Sequence, residues 1–156
     1  MAQFVKGDVM KKNIPLLFLL FFFIKVPAQN KIVPLQLCPD ELKWNPTKPP
    51  LAPGAKVTVL EGNPKDTGHF TMRVKMPPHY LLRPHTHPVD ERTTVISGSV
   101  NIALDEAIDS AKTKKLTAGC FYVNPANAAH YLYTNETEAV VQISTNGPWG
   151  FKFLEK

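Results

Sequence analysis

The sequence predicts an all-β domain, a small antiparallel sandwich or barrel. Three observations carry that expectation. Short runs of β-branched and aromatic residues recur at regular spacing, Gly, Pro, Asn and Asp punctuate them, and almost no stretch holds a helical period.

Residues 1–28 stand apart from that pattern. Lys11 and Lys12 precede the apolar run "IPLLFLLFFFI", Ile14 to Ile24, and "KVPAQN" follows. A basic segment, an apolar core of about 7–15 residues and small residues before a cut mark a secretory signal peptide. Val26 and Ala28 take the small-residue positions, so cleavage is expected between Ala28 and Gln29, with Met10 as an alternative start. The run is shorter than the ~20 residues that span a bilayer. A lipid anchor is not expected either, because Leu37 precedes Cys38 where a small residue is needed. The mature protein is therefore expected to be periplasmic or secreted, and free of the membrane. Loss of this segment takes the formal charge from +5 to about +2. No Lys/Arg stripe remains to meet a phosphate backbone, which excludes nucleic acid as an expected partner.

Residues 29–53 form a proline-rich arm with Pro34, Pro39, Pro46, Pro49, Pro50 and Pro53. Proline at that density breaks helices and fits sheet interiors badly. The arm is expected to lie on the domain, since Leu35, Leu37 and Trp44 are costly to leave in water. Leu42 and Trp44 would cap one end of a barrel. Cys38 in the arm and Cys120 in a predicted strand admit either a disulfide or two unpaired thiols.

Residues 54–156 hold the strands. "KVTVLEG" is the first, and "NPKDTG" turns the chain. In "HFTMRVKMP" Phe70, Met72, Val74 and Met76 share one face, opposite Thr71, Arg73 and Lys75, the period of two expected of a strand with one wet side. "TTVISGSVNIAL" reads as two strands joined at "SGS". "DEAIDSAKTKK" is a polar excursion with one helical turn at "DEAIDSA". "GCFYVNP", "AHYLYTN", "AVVQIST" and a closing strand in "NGPWGFKFLE" complete the set.

The chemistry sits in "PHTHPVDERTTVISG". His85 and His87 are two apart, so in a strand both imidazoles point the same way, and Glu91 shares their parity. Two imidazoles and a carboxylate suit a borderline cation such as Mn, Fe, Co, Ni or Zn. Taken alone, an H-x-H is weak evidence for a metal, and the other reading is two solvent-exposed histidines beside prolines. His130 opens "HYLYT" on the face it shares with Leu132 and Thr134. A buried imidazole without a partner costs about 1–3 kcal/mol, so His130 is either a hydrogen-bonded core residue or a fourth ligand. One metal shared by His85, His87, Glu91 and His130 satisfies all four groups.

At these residues the chain resembles the cupin family. "HYLLRPHTHPVDERTTVISG" matches the first cupin motif at His85, His87, Glu91 and Gly98. "GCFYVNPANAAHYLYT" matches the second at Gly119, Pro125 and His130. "NGPWGFKFL" looks like the closing segment of small single-domain cupins of the ChrR-like group. His79 stands where the first motif opens on Gly, Asn127 replaces a Gly of the second, and Thr134 replaces its Asn. The resemblance implies a β-barrel or jelly roll enclosing one divalent metal (Fe, Mn, Ni, Co or Zn). It implies a Glu91 that either binds the metal or acts as a catalytic base, and a possible homodimer. It suggests a dioxygenase-like oxidoreductase on a small molecule. The alternatives are a non-enzymatic cupin that binds a small ligand or senses metal or oxidant, and an isomerase or lyase. Strand parity proposes Met72, Val74, Phe121, Leu132 and Gln142 as pocket residues, or as plain core, with Tyr131 and Tyr133 pointing away.

Overall fold

A computed structural model describes residues 34–49 and 51–154. The proposed signal segment lies outside the described residues. No described helix is long and apolar enough to cross a membrane.

Among the described residues eleven strands form two antiparallel sheets. In chain order they are β1 (Asn45–Pro46), β2 (Lys56–Glu61), β3 (His69–Met76), β4 (Leu81–Thr86), β5 (Glu91–Ser97), β6 (Ser99–Ala103), β7 (Lys114–Thr117), β8 (Phe121–Asn124), β9 (His130–Tyr133), β10 (Ala139–Asn146) and β11 (Lys152–Phe153). One sheet runs β1-β2-β3-β10-β5-β8 and the other β11-β4-β9-β6-β7. The all-β expectation holds: the chain forms a jelly roll, and no α-helix occurs among the described residues.

Alternation explains which faces meet. In β10, Ala139, Val141, Ile143 and Thr145 are buried while the residues between them are more open. Opposite them in β3, Phe70, Met72 and Met76 are buried, in the register Ala139↔Met76, Val141↔Val74 and Ile143↔Met72. Directly paired antiparallel residues share a face, so these side chains form one inner wall. Met76, Ala139 and Val141 join Val95, Val100, Leu116 and Leu132 in the larger core cluster, while Phe70, Met72 and Ile143 form a smaller one.

The chain passes from one sheet to the other at Ser97-Gly98-Ser99. Gly98 has φ +69°, and a Cβ there would lie 2.1 Å from the Glu138 carbonyl oxygen. Only glycine combines that backbone with that approach. His79 and Asn127, the two residues that stand where the family has Gly, both have positive φ (57° and 61°). The turns kept the left-handed conformation without the glycine, and Asn is the side chain best suited to it. Thr134, in place of the family's Asn, is buried. Its hydroxyl donates to the Pro77 carbonyl at 2.6 Å and accepts from the Tyr80 N–H at 2.9 Å, tying β9 to the turn before β4.

Other expectations are sharpened or corrected. The helical turn expected at "DEAIDSA" falls at the end of that stretch, as a 3-10 turn at Ser110–Lys112 capped by Asp109, whose side chain accepts from the Ala111 N–H at 3.0 Å. Upstream, Asp105 accepts from the Ala107 N–H at 3.0 Å and from Lys112 Nζ at 2.7 Å, a local turn that competes with a helix. The arm does meet the domain, through β1 on β2, and Lys75 Nζ sits 4.6 Å above the Trp44 ring. Leu35 and Leu37 nevertheless stay exposed. Of the two readings open for the cysteines the unpaired one holds, since Cys38 and Cys120 are both free.

Candidate metal centre

The four residues singled out from the sequence come together. His85 lies in β4, His87 just beyond its end, Glu91 opens β5 and His130 opens β9. His85 and His130 are direct partners across the β4–β9 pair. The chain then leaves that sheet between Thr86 and Glu91, so Glu91 reaches the same point from the opposite sheet. All four are buried, and their ligating atoms all lie within 4.8 Å of one another.

The hydrogen bonds of the imidazoles fix which nitrogen faces inward. The Nδ1 of His85 meets the Arg83 carbonyl at 2.7 Å, that of His87 the Gly150 carbonyl at 2.6 Å, and that of His130 the Ala128 carbonyl at 3.0 Å. A carbonyl only accepts, so each Nδ1 carries the proton and each Nε2 presents a lone pair. Ligating histidines are held in this way by backbone carbonyls. His87 Nε2 touches Glu91 Oε2, yet it finds no hydrogen-bond partner. Two lone pairs facing each other in a buried site are a poor arrangement unless a cation lies between them. Glu91 Oε1 accepts from the Thr93 hydroxyl at 3.0 Å, which orients the carboxylate. His87 is further positioned by the indole of Trp149, stacked on it with ring centres 4.8 Å apart.

The loop before His130 is tied to the first motif. The Asn127 N–H donates to the His87 carbonyl at 2.8 Å, and Asp90 Oδ1 accepts from the Ala126 N–H at 3.0 Å. The left-handed Asn127 thus sets the approach of His130 to the other ligands.

Burial, with His130's charge second, pushes the His85 imidazole down to about 4. Burial is also the main cause that lowers His130. For Glu91 burial acts to raise the carboxyl, but the contact with His87 and the charges of His87 and His130 outweigh it, and it sits below the usual range. At neutral pH these shifts leave His85 and His130 as neutral imidazoles and Glu91 as a carboxylate, the protonation states that bind a metal. A consequence is measurable on metal-free protein. Unfolded chain binds a proton at His85 below about 6.5, whereas the folded chain does not until about 4. Thermal stability of the metal-free form should fall as pH drops from 6.5 toward 4, by roughly 3 kcal/mol from this group. A flat melting temperature across that window would contradict the assignment.

The comparisons agree with the geometry. The family model described as the ChrR Cupin-like domain matches residues 35–149. The chain belongs to that cupin family. No curated relative matches it by sequence. Among solved structures this cupin is similar to the polyketide cyclase RemF from Streptomyces resistomycificus, at 16% identity and TM-score 0.64 over 80% of this chain and 89% of that one. It is similar to a putative acetylacetone dioxygenase from Methylibium petroleiphilum PM1, at 19% identity and TM-score 0.62 over 80% and 84%. Oxalate oxidase in complex with glycolate matches at 26% identity and TM-score 0.51, over 65% of this chain and 55% of that one.

Beside the ligands the cupin encloses a cavity of about 130 Å³ that reaches His87 and Glu91. Met72, Val74 and Leu132 line it, as parity proposed. Phe121 and Gln142 do not. Phe121 is 61% exposed, and Gln142 accepts from Arg73 Nε at 3.0 Å on the outer face. The reason is pairing: Glu91 faces inward opposite Asn124, so Thr93 and its partner Tyr122 face inward too, and Phe121 must face out. Val141 and Ile143 take the inner positions of β10. Tyr131 points away from the cavity, as expected, but it is fully buried, its hydroxyl donating to the Asp109 carbonyl at 2.6 Å under the polar excursion.

The aromatic wall residues Tyr80, Tyr122, Trp149 and Phe151 are among those the sequence reading missed. For Tyr122 parity gave only its grouping with Asn124, and the pairing Glu91↔Asn124 is what turns that face inward. For Trp149 and Phe151 there was no signal, because the irregular segment between β10 and β11 carries no period.

Proposed function

We propose that this cupin is an exported, metal-dependent oxidoreductase, dioxygenase-like, that acts on a small organic molecule with an apolar body. The observation that carries this is the cavity. Its walls are aliphatic and aromatic, and it ends on His87 and Glu91. An apolar cavity of about 150 Å³ holds benzene, so the 130 Å³ here suits a body of that order. His85, His87, His130 and Glu91 would hold one Fe, Mn, Ni, Co or Zn ion. When bound, such an ion supplies a Lewis acid for a substrate oxygen or a site for dioxygen.

The protein's own groups do the rest. The Nδ1–H bonds to backbone carbonyls hold the three imidazoles, so no reorganisation is needed as charge develops. Glu91, oriented through Oε1 by Thr93, would either hold the ion or, when free of it, act as the base that takes a proton from an acidic C–H or O–H of the substrate. The apolar walls exclude water from that exchange.

Protein purified from the exported fraction should begin at Gln29 and carry about one transition metal per chain. With Fe, Mn or Ni and an enolic or phenolic substrate it should consume O₂, and His85→Ala or Glu91→Gln should reduce the rate by about 100-fold or more. A chain that carries Zn and consumes no O₂ across such a panel would shift the assignment to a non-redox use of the same site. The likeness to a polyketide cyclase favours that second reading, an isomerase, cyclase or lyase in which Glu91 moves the proton and no oxidant takes part.

A further inference from the structure

Against the aliphatic and aromatic walls of the cavity, two polar atoms stand out. The Tyr122 hydroxyl and the Trp149 Nε1 are both buried, belong to residues that line the cavity, and have no hydrogen-bond partner among the described residues. The Thr93 hydroxyl lies on the same wall as Tyr122 but gives its proton to Glu91. A buried donor left without a partner costs about 1–3 kcal/mol. A free phenol or indole N–H in an apolar pocket is what a site looks like when its partner is a ligand. At neutral pH an ordinary phenol keeps its proton, and an indole N–H is a donor only.

We propose that Tyr122 is a substrate-positioning donor, with Trp149 beside it, and that it selects ligands bearing an acceptor oxygen (a carbonyl, enolate or phenolate) on a small apolar body. The balance of polar groups makes that choice. Apart from the histidine ligand, the lining holds two unpartnered donors and one carboxylate, Glu91, since the Thr47 and Tyr80 hydroxyls already donate to the Ala55 and Ala52 carbonyls. An amine or ammonium ligand would leave both donors unpaired. A ligand oxygen satisfies one or both and places the neighbouring C–H or O–H toward Glu91. Tyr122 reaches the site from β8, where the register Thr93↔Tyr122 puts its ring next to the residue that orients Glu91. Substrate class and proton acceptor are thus set on adjacent strands. The inference deepens the reading of the site as catalytic and rests on it only for the role of Glu91.

The test compares two probes of nearly the same shape, benzaldehyde and toluene, by calorimetric titration of the protein as purified. Wild type should bind benzaldehyde about 10-fold more tightly than toluene, the value of roughly one hydrogen bond to a buried donor. Tyr122→Phe should abolish that preference while leaving toluene affinity and metal content unchanged. A merely structural role for Tyr122 would weaken both probes together, and that result overturns the proposal. So does a wild type with no preference, or a Tyr122→Phe variant that keeps it. Metal content, measured on the same samples, reports separately on the metal site. A protein without metal whose preference still vanishes in Tyr122→Phe would refute the metal reading and leave the donor assignment standing.

Discussion

His130→Ala should lose its tightly bound metal and keep its fold. Removing this side chain leaves two Nε2 atoms and one carboxylate where the wild type brings four donors within 4.8 Å. Loss of a group that merely orients a ligand costs 10–100-fold in metal affinity. Loss of the ligand itself should cost more than about 100-fold. The fold should survive, because His130 Nδ1 bonds only to the Ala128 carbonyl, two residues away, and the β4–β9 and β6–β9 pairs do not depend on its ring. Competition titration with a chromogenic chelator gives the affinity, and circular dichroism gives the fold. His69→Ala and His79→Ala are the controls. Both rings are more than half exposed, His69 beside Glu61 and the Thr71 hydroxyl and His79 beside Glu136, so neither change should alter metal content. An unaltered affinity in His130→Ala would refute the shared site.

Gly98→Ala should be among the most damaging small changes outside the candidate metal centre, with the equally crowded Gly62 and Gly147. Its new Cβ would sit 2.1 Å from the Glu138 carbonyl oxygen and 2.9 Å from Ala139 Cα, both backbone atoms that cannot step aside cheaply. The φ of +69° adds the cost of a left-handed residue with a Cβ, about 1–2 kcal/mol. A total of about 3 kcal/mol or more is expected, which for a domain of this size lowers the melting temperature by roughly 10 °C. Gly119→Ala separates the two causes. Gly119 also has positive φ, 88°, but a Cβ there meets nothing within 4 Å. It should cost only the conformational part, about 1–2 kcal/mol. Equal losses in the two variants would show that the contact with Glu138 is not what matters at Gly98.

The two glycines also show what a motif does and does not say. Both are matched as letters, yet one marks a steric corner between sheets and the other an open turn. His79 and Asn127 show the converse. The letters departed from the family, and the backbone kept the left-handed turns all the same.

Much of the fold was legible because strand alternation is local. Phe70, Met72 and Met76 announce the inner face of β3, and the buried alternation of β10 announces its own. The metal-binding candidates were legible because imidazoles two residues apart, a carboxylate and a second buried imidazole are scarce in an apolar strand pattern. Legibility ended where a face depends on a partner. Parity groups Phe121 with Val123 and Tyr122 with Asn124, but it does not say which pair is inside. That is decided by Glu91↔Asn124 and Thr93↔Tyr122 across β5 and β8.

Residue order alone thus carried the all-β class, the strand sequence and the identity of the donors His85, His87, Glu91 and His130, since each follows from side-chain chemistry and short-range period. Tertiary pairing decided that Glu91 comes from the sheet opposite the histidines. It decided that Tyr122 rather than Phe121 faces the cavity, and that Trp149, from a segment with no period, stacks on His87. The physical reason is one of range. A strand's two faces are written in its own residues, but which face is buried, and against what, is set by segments distant in the chain.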